Sequence, residues 1–380
     1  MNLALSDEQI LLREAAQTAL SRHRTIEAAR AALEDPTALP DLWPTAIEAG
    51  WPGLLVSEAR GGAELDAFDA MLVAEECGRV LAPVPLLGVL PATAVLDAAG
   101  HGATDRVAAG EARAAYVPAR PPCSSQARWT VEPDRGMTRA ALPAASISGQ
   151  EATVHGAVPF VPDLPGADLL VLVAADEQGV PTAVLLDAGA DGVVIEPIVR
   201  YDATRQLGHL RLDGVRGERL DVGENVLADA WYLAHALIGA DSLGAVQTCL
   251  ERSVAYAKER FTFGRAIGSY QSIKHELVEV LRRMENARGL AYYAGWARGN
   301  GPHPPHEEFP LAASAFRSAA GEALEFAARA MINVHGGIGA TWEHDAPLFF
   351  RRAELSRRLL GGTRDATDRV AERTLAAAAA

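Results

Sequence analysis

The sequence predicts an α+β fold in three consecutive blocks, helical, then β, then helical. Three observations support this. Apolar residues recur at helical spacing over 1–112, and again over 226–380 in longer runs. Between them, over 113–225, short runs rich in valine and leucine alternate with turn residues. With 380 residues, the chain is too long for one small core and has room for two or three domains.

The first block, 1–112, opens with "SDEQILLREAAQTALSRH", where Ser6 and Gln9 have capping-box spacing. Ile10, Leu11, Ala15 and Leu20 supply the apolar stripe of the helix that follows. "DAFDAMLVAEECGRVLA" repeats the pattern through Phe68, Met71, Leu72, Ala74 and Glu75. The window 80–99 is apolar enough by length to span a membrane, but its three prolines favour a buried turn and helix.

In the second block, 113–225, "DLLVLVAA", "PTAVLLDA" and "VVIEPI" are separated by "DEQG" and "GADG". This spacing predicts an antiparallel β-domain. The third block, 226–380, predicts a four-helix bundle. One helix presents Leu243, Val246, Leu250 and Val254; another presents Ile273, Leu277, Val280, Met284, Ala287 and Ala291. "GNGPHPPHEEFP", 299–310, is expected to be the loop between two helices, followed by an alanine-rich helix over 312–330. The alanine run at the end reads as a frayed tail, and no internal repeat is present.

The formal net charge is −14 with a pI near 5.2, and an acidic surface disfavours nucleic-acid partners. The N-terminus carries charges where a signal peptide needs an apolar region, so the expectation is a cytoplasmic protein with no membrane association. Cys77, Cys123 and Cys249 are far apart and odd in number, and read as reduced thiols. His303 and His306 stand together in the proline-rich stretch without a third ligand, so no metal site is expected. No Gly-x-Gly-x-x-Gly follows a strand and no Walker motif is present.

Three stretches are more specific together than apart. "AYAKERFTFGRAIGSYQSIKHELVEV", 255–280, ends a helix near Arg260, turns through Phe-Thr-Phe-Gly and opens the next helix with a glutamine. "GWPGLLVSEARGGAELDAFDAMLVAEECGRVLAPVP" occupies 50–85, and "VHGGIGATWEHD", 334–345, is followed by "APLFFRRAE". Over nearly its full length, the sequence resembles the acyl-CoA dehydrogenase family, with its Arg-x-x-Phe-Gly turn, Glu-Glu-x-Gly-Arg helix end and Gly-Gly-x-Gly loop.

The resemblance implies the acyl-CoA dehydrogenase-like arrangement of an N-terminal helical domain, a middle β-domain and a C-terminal bundle. It also implies a tetramer with FAD bound between subunits. On this sequence the implied FAD contacts are Arg260, Thr262, Phe263, Gly264 and Gln271, with Asn333, Gly336, Gly337 and Thr363. The family usually has glutamine where Asn333 stands, and again where Asp365 stands. The chemistry suits these positions: a guanidinium makes charge-assisted bonds to phosphate, and glycine admits close approach to backbone N–H groups. The plainer alternatives are a cation at a helix C-terminus for Arg260 and a helix C-cap for Gly336 and Gly337. His335 and His344 flank the loop and read as structural.

The family's reaction removes an α-proton from an acyl-CoA thioester while a hydride passes to the flavin, and a carboxylate takes the proton. One family position for that carboxylate is Gly361 here, in "LLGGTRD"; the other, 26 residues before Arg260, is Ala234. Neither accepts a proton, and general-base catalysis contributes about 10²–10⁴-fold. No catalytic residue is therefore assigned. The family's Thr-Glu-Pro-x-Ala-Gly-Ser-Asp loop and Trp-Ile-Thr strand are also missing; the chain has "ARPPCSSQARW", 119–129, and "AVPFVPDLPGAD", 157–168.

The expectation is a non-catalytic subunit of an α2β2 acyl-CoA dehydrogenase, resembling those of actinobacterial steroid side-chain β-oxidation. It would hold the adenosine and pyrophosphate half of FAD while a homologous catalytic subunit supplies the base. The implied substrate is an acyl-CoA with a bulky acyl group, and the implied electron acceptor an electron-transfer flavoprotein. Two alternatives stand beside it: an active homo-oligomer with a relocated base at Asp365 or Glu343, and a non-enzymatic interaction scaffold of the same fold.

Overall fold

The computed structural model describes residues 4–121, 130–131, 140–199, 201–299 and 305–379. Cys123, His303, residues 122–129 of the "ARPPCSSQARW" stretch and the side chain of His306 lie outside the described residues. The N-terminal helices are α1 (Asp7–Ser21), α2 (Thr25–Ala31), α3 (Trp43–Glu48), α4 (Ala67–Arg79), α5 (Leu86–Ala98) and α6 (Ala103–Ala108). The Ser6–Gln9 capping box forms at the start of α1. Helix α1 buries Ala16 and Leu20, whereas Leu11, expected in its stripe, is exposed. The stripe is narrower because α1 packs mainly against α4.

The strands among the described residues are β1 (Ala114–Val117), β2 (Thr130–Val131), β3 (Ala140–Ala141), β4 (Ala144–Ser148), β5 (Glu151–Pro162), β6 (Leu169–Ala175), β7 (Pro181–Asp187), β8 (Val193–Pro197), β9 (Leu207–Leu220), β10 (Phe261–Thr262) and β11 (Arg265–Ala266). The main sheet runs β1-β6-β4-β5-β9-β7, with β8 on β9. Because β6 also pairs with β7, the strands β6, β4, β5, β9 and β7 close on themselves around Val154, Leu170, Leu172, Leu210 and Val215. The sheet is not purely antiparallel as expected: β1 lies parallel to β6, from Ala114 opposite Leu169 to Val117 opposite Leu172, and β4 meets β6 in parallel at Ala144 and Ala175. The long excursion from β1 to β6 brings the chain back in the same direction.

The C-terminal helices are α7 (Glu224–Glu259), α8 (Gln271–Gly299), α9 (Pro305–His335), α10 (Ala346–Ser356) and α11 (Gly362–Ala379). The bundle of α7, α8, α9 and α11 is centred on α9, with α10 laid against it. The loop expected over 299–310 is shorter, since α9 already begins at Pro305 and includes Pro310. At Pro305, the first helical residue, proline forfeits nothing, because the first N–H groups have no intrahelical partner, whereas Pro310 lies inside the helix and gives up one intrahelical N–H bond. Helices α4 and α7 meet at backbone contact. A Cβ on Gly244 would stand 1.8 Å from the Glu75 carbonyl oxygen, and one on Gly78 would stand 1.9 Å from that of Asp241. This contact seats the N-terminal helices on the bundle. No helix among the described residues is long and apolar enough to cross a membrane. Residues 86–98 form α5, buried against β1 and α7.

Candidate functional site

Helix α7 ends at Glu259 because Arg260 leaves helical geometry, at φ −81° and ψ 122°. The chain then makes a minimal hairpin, with Thr262 opposite Arg265 and Phe263 and Gly264 at the tip. Both tip residues have positive φ, 51° and 80°, as a two-residue type I′ turn requires. Phe263 holds this conformation at a strain cost glycine would not incur, and its side chain is 94% exposed. Behind the tip, Tyr270 Oη donates to the Thr262 carbonyl at 3.2 Å, and the Arg265 guanidinium lies 4.0 Å over the Tyr270 ring. The Arg260 carbonyl accepts from Ile267 N at 2.8 Å, while its exposed guanidinium has no ion pair among the described residues.

The C-terminal end of α9 lies beside this turn. Tyr256, on the last turn of α7, stacks on His335 with ring centroids 4.3 Å apart, and the His344 ring lies 4.3 Å from that of His335. His335 Nδ1 donates to the Met331 carbonyl at 2.7 Å, which fixes the ring. Asn333 Nδ2 donates to Glu276 Oε1 at 3.2 Å and ties α9 to the start of α8, where Gln271 is exposed. Gly336 has φ 64°, as a residue ending a helix requires. Gly337 has no such constraint, and a Cβ at either glycine would meet nothing within 4 Å. The structure thus brings Arg260, Thr262, Phe263, Gly264, Gln271, Asn333, Gly336 and Gly337 to one end of the bundle.

Thr363 is not among them. It opens α11 and packs on Gly321, where a Cβ would stand 2.2 Å from Thr363 Cγ2. Gly321 precedes Asn333 by twelve residues of α9, or about 18 Å along the axis.

The positions considered for a base are unfavourable. Ala234 is fully buried in the core. Gly361, at φ 77°, lies between Leu360 at 52° and Gly362 at 75°. Asp365 is bonded by Arg120 and by Arg369 Nε at 3.2 Å, and its side chain is 3% exposed. Glu343 is exposed, and hydrogen bonds from its own backbone and from Thr341 hold its carboxyl below the usual value. No group of three or more metal-ligating side chains occurs among the described residues. Cys77 and Cys249 are free and buried, and burial pushes both thiols up.

Sequence reasoning missed a second feature. A cleft of about 210 Å³ opens between the sheet and the bundle, walled by Pro159, Phe160, Trp231, Leu355, Leu359 and Leu360. Its floor is braced from below: His235 Nε2 donates to the Leu360 carbonyl at 2.9 Å, and Arg317 Nη2 donates to the carbonyls of Ser356 and Leu359. Burial, reinforced by Arg317, pushes the His235 imidazole well below its usual value and keeps it neutral. The only trace of this in sequence is that Trp231 and His235 are four apart on one helix, a spacing that ordinary core pairs share.

Comparison with known proteins agrees with this architecture. Residues 6–107 match the family model of the acyl-CoA dehydrogenase N-terminal domain, and residues 223–375 match that of the C-terminal domain. The chain is 30% identical to acyl-CoA dehydrogenase IpdE2 of Mycolicibacterium smegmatis over 364 residues, which are 95% of this chain and 97% of that protein. Among solved structures, it is similar to a variant of the Tcur3481-Tcur3483 steroid ACAD, with TM-score 0.84, 25% identity and coverage of 98% of this chain and 99% of that one. The ChsE4-ChsE5 complex from Mycobacterium tuberculosis shares the fold, with TM-score 0.83, 22% identity and 99% coverage of both chains. Family members are FAD-dependent flavoproteins, and on these matches this chain belongs to the acyl-CoA dehydrogenase family.

Proposed function

We propose that this chain is the non-catalytic subunit of a hetero-oligomeric, FAD-dependent acyl-CoA dehydrogenase. In this assembly it holds the pyrophosphate and adenosine half of a flavin whose ring lies in a homologous catalytic chain. One observation carries the proposal: the Arg260 turn and the Gly336–Gly337 loop are open at one end of the bundle, while both base positions hold residues without a carboxylate.

The residues suit an FAD pyrophosphate. Gly264, Gly336 and Gly337 leave free space where a Cβ would stand, so backbone N–H groups are approachable. Arg260 supplies an exposed cation without a competing carboxylate among the described residues, and Thr262 and Gln271 add polar groups beside it. Asn333 takes part through its remaining amide capacity, since one N–H is given to Glu276. Thr363 lies too far along α9 to join them and belongs to a separate contact. When bound, FAD supplies the hydride acceptor; this chain's residues bind and orient it. The proton acceptor comes from the partner. The substrate is an acyl-CoA with a bulky, steroid-type acyl group, a choice supported by the resemblance to the Tcur3481-Tcur3483 steroid ACAD. An electron-transfer flavoprotein takes the electrons.

An active homo-oligomer with a relocated base is disfavoured, because Asp365 is committed to Arg120 and Arg369 and Glu343 is a depressed, exposed carboxylate. A scaffold without cofactor leaves the open glycine at 337 without a use. The test is co-expression with a homologous chain that carries a glutamate at either base position. The expected product is an active assembly with one flavin per two chains. A homotetramer of this chain with one flavin each and dehydrogenase activity of its own overturns the proposal.

A further inference from the structure

The turn over 336–345 is joined to α10 by an imidazole in one protonation state. His344 Nδ1 accepts from Ala346 N, the first amide of α10, at 3.1 Å. A backbone N–H can only donate, so Nδ1 is bare and the neutral ring carries its hydrogen on Nε2. A further proton has only Nδ1 to go to, and there it ends the bond to Ala346. Asp345, at the N-cap of α10, makes no capping bond with its side chain, so His344 serves this helix start in its place. The other closures of the turn do not titrate: Thr341 N and Oγ1 donate to the Ile338 carbonyl, and His344 N donates to that of Thr341.

The surroundings oppose the further proton. His344 is half-buried, and the His335 ring of α9 lies 4.3 Å from it, itself stacked on Tyr256 of α7. Asp345 favours an imidazolium, but its carboxylate is already bonded by Arg30 of α2 and Arg252 of α7, which bring two more cations close. The neighbouring Glu343 carboxylate is exposed and bonded to its own backbone and to Thr341. Burial first, then His335, hold the His344 imidazole below its ordinary value. The positive end of the α10 dipole acts in the same direction.

We propose that His344 is a proton-released latch: neutral, it holds the 336–345 turn and the start of α10 together, and protonated, it lets go of Ala346 and loosens both. A base that is harder to protonate in the closed state takes its proton more readily in the open one. Closure is therefore complete above the ordinary imidazole value of about 6.5 and weakens as pH falls below it. The latch belongs to the chain itself and does not depend on the role proposed for Gly336 and Gly337.

The test is hydrogen exchange at the Ala346 amide of the full-length chain, corrected for the intrinsic rate, at about pH 7.5 and about pH 5.5, on either side of the ordinary imidazole value. Protection of this amide is expected to fall about three- to tenfold between the two, as loss of one net hydrogen bond gives. His344→Asn places an acceptor oxygen close to where Nδ1 stands, cannot take up a proton and suits a helix start. Its protection is expected to be the same at both pH values. His344→Phe keeps a ring beside His335 but has no acceptor, and is expected to leave Ala346 poorly protected at both. Protection in the parent that does not change with pH, an equal fall in His344→Asn, or full protection retained in His344→Phe overturns the proposal.

Discussion

Arg352 on α10 donates from Nη1 to Asp241 on α7 at 2.6 Å, and from Nε to Asp202 at the same distance, with its own side chain 1% exposed. Arg205 completes the cluster by bonding Asp241 Oδ2 at 2.6 Å, and Thr204 Oγ1 donates to Asp202 at 2.6 Å. The four charges join α10, α7 and the loop between β8 and β9, so they tie the sheet to the bundle. A buried ion pair adds little over well-packed apolar residues, but removing one partner strands a charge and costs about 3–5 kcal/mol. Arg352→Met keeps most of the volume and leaves the two carboxylates of the cluster with Arg205 as their shared cation. It is expected to lower the unfolding free energy by about 3–5 kcal/mol in urea titration. A loss below about 1 kcal/mol counts against this role for the cluster.

The same cluster sets a pH dependence. Burial pushes the Asp202 carboxyl up, but Arg352, Thr204 and Arg205 together outweigh it and hold the group below its ordinary value. A depressed folded pKa means the unfolded chain binds the proton first as pH falls. The Asp202 contribution is therefore complete above the unfolded carboxylate value of about 4, and is lost as pH falls from there through the folded value. Asp202→Asn is expected to be less stable than the parent at about pH 7, with the gap closing between about pH 4 and the acid limit. Denaturation midpoints at a series of pH values measure this; a gap that is constant with pH refutes it.

The legible parts of the fold were those fixed by local pattern. The Ser6–Gln9 box, the stripes of α7 and α8 and the alternation of strand and turn through 225 each report a neighbour in sequence. What was not legible depends on distant partners. The parallel pairing of Ala114–Val117 with Leu169–Leu172 follows from closure of the sheet, which no strand records singly. Pro305 and Pro310 suggest a loop because proline breaks helix interiors, yet Pro305 opens α9 and Pro310 is accommodated inside it. Of the candidate site, the turn at Arg260 and the loop at Gly336 could be named through the family resemblance, and the structure brings them together. Trp231, His235 and Leu360 could not, because the cleft exists only where the sheet meets the bundle. Arg352 is one charge among several in "RRAELSRR", 351–358, a pattern that suits a solvated or inter-subunit helix face, and is instead buried within the chain.

Gly337 separates the two uses of the glycine loop. Gly336 has a positive φ and ends a helix, so its replacement by alanine is expected to cost about 1 kcal/mol whatever the loop binds. Gly337 needs neither that conformation nor the space inside the chain, since nothing lies within 4 Å of a Cβ there. Gly337→Ala is expected to leave stability within about 0.5 kcal/mol of the parent, yet to lower the flavin content of the purified assembly. Arg260→Met is expected to behave likewise. Full flavin occupancy in both variants, measured by absorbance after gel filtration, leaves the loop a helix end and nothing more.

Restoring the missing carboxylate is expected to fail at both positions. At Gly361 the backbone sits at φ 77°, and a Cβ would stand 3.0 Å from Asp365 Oδ2. Gly361→Glu therefore combines backbone strain, about 1–2 kcal/mol for a non-glycine residue in this region, with a second carboxylate crowded against Asp365. The new side chain disturbs the bonds from Arg120 and Arg369 that hold Asp365, rather than standing free to take a proton. At Ala234, fully buried in the core, a glutamate overpacks apolar neighbours and buries an unpaired charge. Both variants are expected to be less stable than the parent and to show no acyl-CoA dehydrogenation as single chains. A Gly361→Glu chain that turns over an acyl-CoA on its own would mean the pocket around position 361 is still catalytic in shape and lacks only its base. The lower stability is checked by urea titration and the activity by reduction of an artificial electron acceptor, so a variant that merely fails to fold is distinguished from one that folds and stays inactive.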